Sequence, residues 1–313
     1  MSGVFTEEQE ELRRYARQWL DENAPLEAVR KIAETPEGFD AAQWSELGSL
    51  GWLGIAVGEA YGGSGFGFME LAVLAEEMGR TLYPSPFLST VVLGTWLVER
   101  LGTDDQKAEI LPAVVRGDHR LAVAAGRAAV HDLVARRQGT DWVVSGRARF
   151  VLDGHTAHTL IVEAAADDGT RLFLVDGDAG GLERNPLSVM DLTRPQAEVT
   201  ATDVVASPLG DGRAGDAVDH ALDRAVAALA MEQVGGAQAC LDMSVEYAKV
   251  RHQFGRPIGS FQAIKHMCAD MLVGVESARS AAYHLASVID HDPEEAAIAA
   301  PVAKSFCSEA YEK

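Results

Sequence analysis

The chain has 313 residues and is 47% hydrophobic, enough for two or three packed units with a sizeable core, which excludes a disordered protein. Its formal net charge is -20, from 47 acidic and 27 basic residues, so the surface repels nucleic acid and anionic membranes, and an anionic ligand needs a local basic pocket. Cys240, Cys268 and Cys307 stand apart without a Cys-x-x-Cys pair, Met1 to Gln9 is too polar for a secretory signal, and no apolar run reaches the roughly 18 residues of a membrane span, so a reduced cytoplasmic protein is expected.

The first third reads as helices. Thr6-Glu7-Glu8-Gln9 fits a capping box, and behind it Leu12, Tyr15, Ala16, Trp19 and Leu20 recur at helical spacing until Pro25. A second helix over Ala41 to Leu50 leads into Gly51-Trp52-Leu53-Gly54. The glycine-rich run Tyr61 to Gly67 follows, then a helix from Phe68 to Arg80. Pro84 and Pro86 break the chain before helices over Phe87 to Leu101 and Asp104 to Arg116. From Leu121 to Val205 the apolar runs are short. Trp142 to Val144, Phe150 to Leu152, Leu160 to Val162 and Leu172 to Val175 read as strands, with Asp168-Gly169 as a hairpin signal. Connections too short for helical crossovers make this sheet mostly antiparallel. Helix returns from Gly215, where Phe261, Ile264, Cys268, Met271, Leu272 and Val275 form one apolar stripe. The expected organisation is α+β and mainly α: a helical domain over 1–120, a small β-domain over 121–208 and a helical bundle over 215–313.

Several chemistries are not supported. The Gly62 to Gly67 run has no G-x-G-x-x-G register, is not followed by Gly-Lys-Ser/Thr, and joins helices, so it reads as a sharp turn with positive φ. The nine histidines form no H-E-x-x-H and none pairs with carboxylates at ligand spacing, so no metal site is expected. There is no G-x-S-x-G elbow.

The informative segment is Arg251-His252-Gln253-Phe254-Gly255-Arg256-Pro257-Ile258-Gly259-Ser260-Phe261-Gln262. Two arginines bracket a turn between two long helices, an arrangement that offers guanidinium forks and helix N-terminal amides to a pyrophosphate. On these residues alone a solvated interhelical turn is the plainer reading.

The segment resembles the R-x-x-F-G-x-x-I/L-x-x-x-Q signature of acyl-CoA dehydrogenases. Glu46 to Ile55 with Tyr61 to Gly65, Leu74-Ala75-Glu76-Glu77-Met78-Gly79-Arg80, and Phe150-Val151-Leu152-Asp153-Gly154 resemble further family segments in the same order. The resemblance spans nearly the whole chain and implies the acyl-CoA dehydrogenase fold. It also implies FAD, an acyl-CoA thioester substrate that loses an α-proton to a carboxylate and a β-hydride to flavin to give a trans-2-enoyl-CoA, and an electron-transfer flavoprotein as acceptor.

In the family FAD crosses a subunit interface. By resemblance, Arg251, Gln253, Phe254, Phe261 and Gln262 are the neighbour-side contacts, and Phe150 and Leu152 face the chain's own flavin. That second half is altered. Leu121 to Ala129 stands where a T-E-P-x-A-G-S-type loop is usual and has no Thr, Glu, Pro or Ser, and Leu152 replaces a Thr. Backbone amides remain as donors.

The base has two family positions. One lies beyond a Gln-x-His-Gly-Gly segment, which is expected past Lys313. The other corresponds to Asp223, before Arg224, one methylene shorter than the family's Glu, and a solvated helix-surface Asp is the plainer reading of that residue. Two functional readings follow: a partner subunit of a heteromeric dehydrogenase, α2β2 in some relatives, that supplies neighbour-side FAD contacts, or a self-sufficient homo-oligomeric dehydrogenase. An acyl-CoA oxidase is a third.

Overall fold

A computed structural model describes residues 5–312; Met1 to Val4, the start of the polar N-terminal stretch, and Lys313 lie outside them. The helices of the first third are α1 (Glu7–Asn23), α2 (Leu26–Ala33), α3 (Ala41–Ser49), α4 (Phe68–Thr81), α5 (Thr95–Leu101) and α6 (Asp104–Val115). Eight strands follow: β1 (Leu121–Ala124), β2 (Val130–His131), β3 (Val134–Gln138), β4 (Asp141–Leu152), β5 (Thr159–Ala166), β6 (Gly169–Asp176), β7 (Leu182–Pro186) and β8 (Gln196–Pro208). Then come α7 (Ala217–Val250), the short β9 (His252–Gln253) and β10 (Arg256–Pro257), α8 (Gln262–Val288) and α9 (Pro293–Glu312). The order helical, β, helical is the expected one. Among the described residues no helix is long and apolar enough to cross a membrane.

The chain forms two compact units built from non-consecutive segments. The first comprises Met1–Val29, Phe68–Tyr83 and Val226–Lys313. The capping box at Thr6 is present: its hydroxyl accepts from the Gln9 amide while the Gln9 side chain accepts from the Thr6 amide. Helix α4 is buried almost throughout and carries Glu76 and Glu77, 4% and 1% exposed. Carboxylates persist there only because they are paired. Arg17 grips Glu77 through two bonds, 2.7 and 2.9 Å, and Arg80 lies 3.4 Å away. Glu76 accepts from Arg13 at 3.2 Å, and from Arg279 and Tyr283 of α8. The crossing of α4 on α7 is close enough to demand glycine. A Cβ on Gly79 would stand 2.1 Å from the Glu232 carbonyl oxygen, and one on Gly235 would stand 1.9 Å from that of Glu76. Of the expected stripe on α8, Cys268, Met271 and Val275 do pack against Ala237 and Leu241 of α7. Leu272, which shares the 3–4 spacing with Cys268 and Val275, is nevertheless 48% exposed, so helical periodicity alone did not fix its burial.

The second unit comprises Arg30–Gly67 and Pro84–Ala225. Its sheet closes on itself: β4 pairs with β3 and β8, and β3, β5, β6 and β8 complete the circuit. Pairing is antiparallel except where β1 and β3 meet β5. Leu160, Val162, Phe173, Val199 and Val204 fill its interior. The hairpin anticipated at Asp168-Gly169 joins β5 to β6 one residue earlier: Asp167 and Asp168 form the turn, and Gly169, at φ 118°, pairs with Ala166 as the first residue of β6. The expected single helix over Phe87 to Leu101 is instead a wide π-helical stretch over Phe87–Gly94 followed by α5. Thr95 sends its amide and its hydroxyl back to the Thr90 carbonyl, and Thr90 Oγ1 bridges to the backbone of Leu121, so docking on β1 selects the wider turn. In the glycine-rich run, Gly62 and Gly65 do have positive φ (85° and 67°).

Candidate functional site

The signature segment lies in the first unit. Helix α7 ends at Val250, and β9 and β10 form a miniature hairpin with Gln253 opposite Arg256. Phe254 and Gly255 occupy its tip at φ 54° and 76°, the paired left-handed geometry that turns two strands tightly. The Ile258 amide donates to the Arg251 carbonyl at 2.8 Å and closes the base of the turn. Arg251, Gln253, Phe254 and Gln262 are exposed, Phe254 at 91%. The Arg256 guanidinium sits 4.2 Å from the centre of the Phe261 ring, and Phe254 meets Phe261 edge to face at 6.1 Å. Arg251 has no carboxylate partner among the described residues, and a Cβ on Gly255 would meet nothing within 4 Å. The structure therefore brings all five predicted neighbour-side residues to one exposed turn. It offers two guanidinium groups, two amide side chains and an aromatic step to a ligand that no residue of the turn itself covers.

The second set lies in the other unit. Strand β4 is bulged between Ala148 and Val151. This places Phe150 at φ 63°, 45% exposed, with the Arg149 guanidinium 5.4 Å above its ring. Leu152 is half-buried opposite Gln196 and carries no hydrogen-bonding group. Asp153 follows at φ 53° and is 5% exposed. Burial pushes its carboxyl up to about 6, against the Ser89 hydroxyl at 2.6 Å and the positive charges of Arg194 and Arg120, which hold it down.

The segment after β1 turns through a 3-10 stretch, Gly126–Ala128. It packs on the first turns of α7, where a Cβ on Gly126 would fall 2.7 Å from Val218 Cγ1 and 3.2 Å from Leu222 Cδ1. Asp223 follows Leu222 and is half-buried. Burial raises its pKa, His220 and Arg127 lower it, and Asp219 raises it. Arg224 is buried with its guanidinium 5.5 Å from the Trp96 ring centre.

Sequence reasoning passed over two side chains here. Glu163 on β5 accepts a hydrogen bond from the Gly126 amide, and His131 Nε2 lies 3.5 Å from the same Glu163 oxygen. The available signal was a lone charge inside the apolar run from Leu160 to Ala166. Among the described residues no group of three or more His, Cys, Asp or Glu could hold a metal ion.

A flavin dinucleotide fits these two sets unequally. The exposed signature turn suits a pyrophosphate and a flat ring system. On the β-domain, Leu152 and the residues from Ala124 to Ala129 supply no neutral side-chain donor, and the Gly126 amide is already engaged.

Residues 6–118 match the acyl-CoA dehydrogenase N-terminal domain, and residues 215–313 match the acyl-CoA dehydrogenase C-terminal domain. The acyl-CoA dehydrogenase FadE12 of Mycobacterium tuberculosis is 32% identical, over 99% of this chain and 84% of that protein. Among solved structures, a variant of the Tcur3481–Tcur3483 steroid acyl-CoA dehydrogenase superposes with a TM-score of 0.86 at 36% identity, covering 97% of this chain and 84% of the other. The ChsE4–ChsE5 complex of Mycobacterium tuberculosis superposes at 0.89 with 27% identity, covering 99% and 85%.

Proposed function

The chain belongs to the acyl-CoA dehydrogenase family, oxidoreductases acting on the CH–CH group of acyl-CoA thioesters, and from that premise we propose that it is a subunit of a heteromeric, FAD-dependent member. In this reading it lends its signature turn to a flavin whose ring rests on a second, unlike subunit. One observation carries it: the turn from Arg251 to Gln262 is complete and exposed, whereas on the β-domain Leu152 and the segment Ala124 to Ala129 offer a ring no neutral side-chain donor. The likeness to two structures with paired names, one a complex and the other described as a steroid acyl-CoA dehydrogenase, supports both the heteromeric assembly and a steroid or fatty acyl-CoA as substrate.

When bound, FAD supplies the two-electron acceptor that turns the acyl-CoA into its trans-2-enoyl product. Arg251 pairs with the diphosphate as a charged fork, since its guanidinium has no competing carboxylate. Gln253 and Gln262 donate amide hydrogens, and Phe254 and Phe261 present ring faces and edges to flat parts of the ligand. Electrons leave to an electron-transfer flavoprotein, and the complex works in the cytoplasm.

A second reading rests on Asp223. Burial raises its pKa, the direction that strengthens a carboxylate as a proton acceptor, so a self-sufficient homo-oligomer is the alternative. In it Asp223 takes the α-proton.

Bound FAD per polypeptide separates the two. The expected result is little flavin on the chain purified alone, rising to one per two unlike chains on co-expression with a second family member. One FAD per chain in a homo-oligomer refutes the partner role. Arg251→Ala in the mixed complex should weaken FAD binding about tenfold or more, the effect of losing one charged bond of roughly 1.5–3 kcal/mol. Unchanged FAD affinity removes the neighbour-side assignment. Full turnover by Asp223→Asn removes Asp223 as base.

A further inference from the structure

The weak half of the flavin fit has a specific internal cause. Along β5, Leu160, Val162 and Ala164 point into the closed sheet, and Ile161 and Glu163 point the other way. Ile161 is fully buried, while the Glu163 side chain is 19% exposed. The parallel register of β1 on β5 ends at Ala124 opposite Val162, so Glu163 lies one step further, level with the turn that begins at Ala125. Its Oε2 accepts from the Gly126 amide, and His131 Nε2 stands 3.5 Å from that oxygen.

The turn has little freedom to release this contact. Gly126 is held at φ 53° with Val218 and Leu222 against its α-carbon. The Ala128 amide is spent on the Ala125 carbonyl at 3.0 Å. Two backbone donors of the segment are thus committed inside the chain. An isoalloxazine edge carries carbonyl acceptors and needs N–H or O–H donors. Glu163 consumes a donor and sets a carboxylate, an acceptor-only group, beside the same position.

We infer that Glu163, braced by His131, occupies the donor position of this chain's own β-domain and so excludes the flavin ring from it. The inference rests on the partner-subunit reading and supplies its residue-level cause. Glu163 is a positioning residue in this account and needs no contact with substrate.

The test uses the full chain alone, titrated with FAD and followed by quenching of FAD fluorescence, with bound flavin counted after gel filtration and folding checked by circular dichroism. Glu163→Ala frees the Gly126 amide and removes the charge, and should lower the FAD Kd at least tenfold against the parent. Glu163→Gln keeps an acceptor for Gly126 but removes the charge, and should tighten binding several-fold. If Glu163→Ala does not fold, the nearly isosteric Glu163→Gln decides. Folded variants that bind FAD no better than a nearly empty parent overturn the inference and leave the partner role standing. A parent that already binds one FAD per chain overturns both.

Discussion

Replacement of Asp153 by Asn should stabilise the second unit, increasingly so as pH rises. The carboxyl is 5% exposed and its pKa is lifted by burial from 3.8 to about 6. The folded protein therefore holds this proton more tightly than the unfolded chain does. Stability from that preference is complete below the unfolded value of 3.8 and is lost as pH rises through about 6. A difference of about two units corresponds to ~3 kcal/mol once pH exceeds both values, with about half of it already lost at pH 5. Asn mimics the protonated carboxyl. Its amide donates to Ser89 Oγ, freeing that hydroxyl to donate to the Pro86 carbonyl oxygen 3.2 Å away. Asn also tolerates the left-handed φ of 53° at this position. Trp44, Trp52, Trp96 and Trp142 all lie in this unit, so tryptophan fluorescence during urea unfolding reports on it. The advantage of Asp153→Asn should grow from about 1.5 kcal/mol at pH 5 to about 3 kcal/mol at pH 8. A variant less stable than the parent at pH 8, or an advantage independent of pH, refutes the argument.

Glu77→Gln should destabilise the first unit by about 3–5 kcal/mol, because it strips the charge that Arg13, Arg17 and Arg80 surround; urea unfolding followed by circular dichroism measures it, and a loss under 1 kcal/mol shows that the cluster is dispensable. His158 Nδ1 accepts from the Arg120 amide at 2.9 Å and therefore carries no proton. Burial, then Arg120 and His119, push its pKa below 6.5. Its contribution to stability is thus present above 6.5 and declines as pH falls below it; an imidazole C2–H resonance titrating above 6.5 contradicts this. Phe254→Ala, at a residue 91% exposed, should change stability by no more than about 0.5 kcal/mol while weakening FAD binding in the assembled complex. Equal FAD affinity in that variant removes Phe254 from the ligand contacts.

Local signals in the chain predicted local structure well. The Thr6–Gln9 capping box, the helix Phe68–Thr81 and the β5–β6 hairpin depend on residues within a few positions of one another. The signature turn was legible for the same reason: Arg251 to Gln262 are neighbours in sequence, so placing them together needed only a tight turn between two helices. The π-helical stretch over Phe87–Gly94 was not legible, because Thr90 meets Leu121 and Ser89 meets Asp153 across long sequence separations. The burial of Glu76 and Glu77 had the same origin. A pair of adjacent carboxylates reads as a solvated face until arginines from three helices converge on it.

By itself, the sequence determined the family, the helical–β–helical order and the residues of the exposed turn, because motifs and periodicity are short-range properties of the chain. Only the tertiary structure decided which side chain claims the Gly126 amide. Glu163 reaches it because β1 and β5, 35 or more residues apart, pair in parallel with a register that ends one residue before Glu163. Such a register is set by burial of both strand faces at once, and no window of sequence contains both strands' partners.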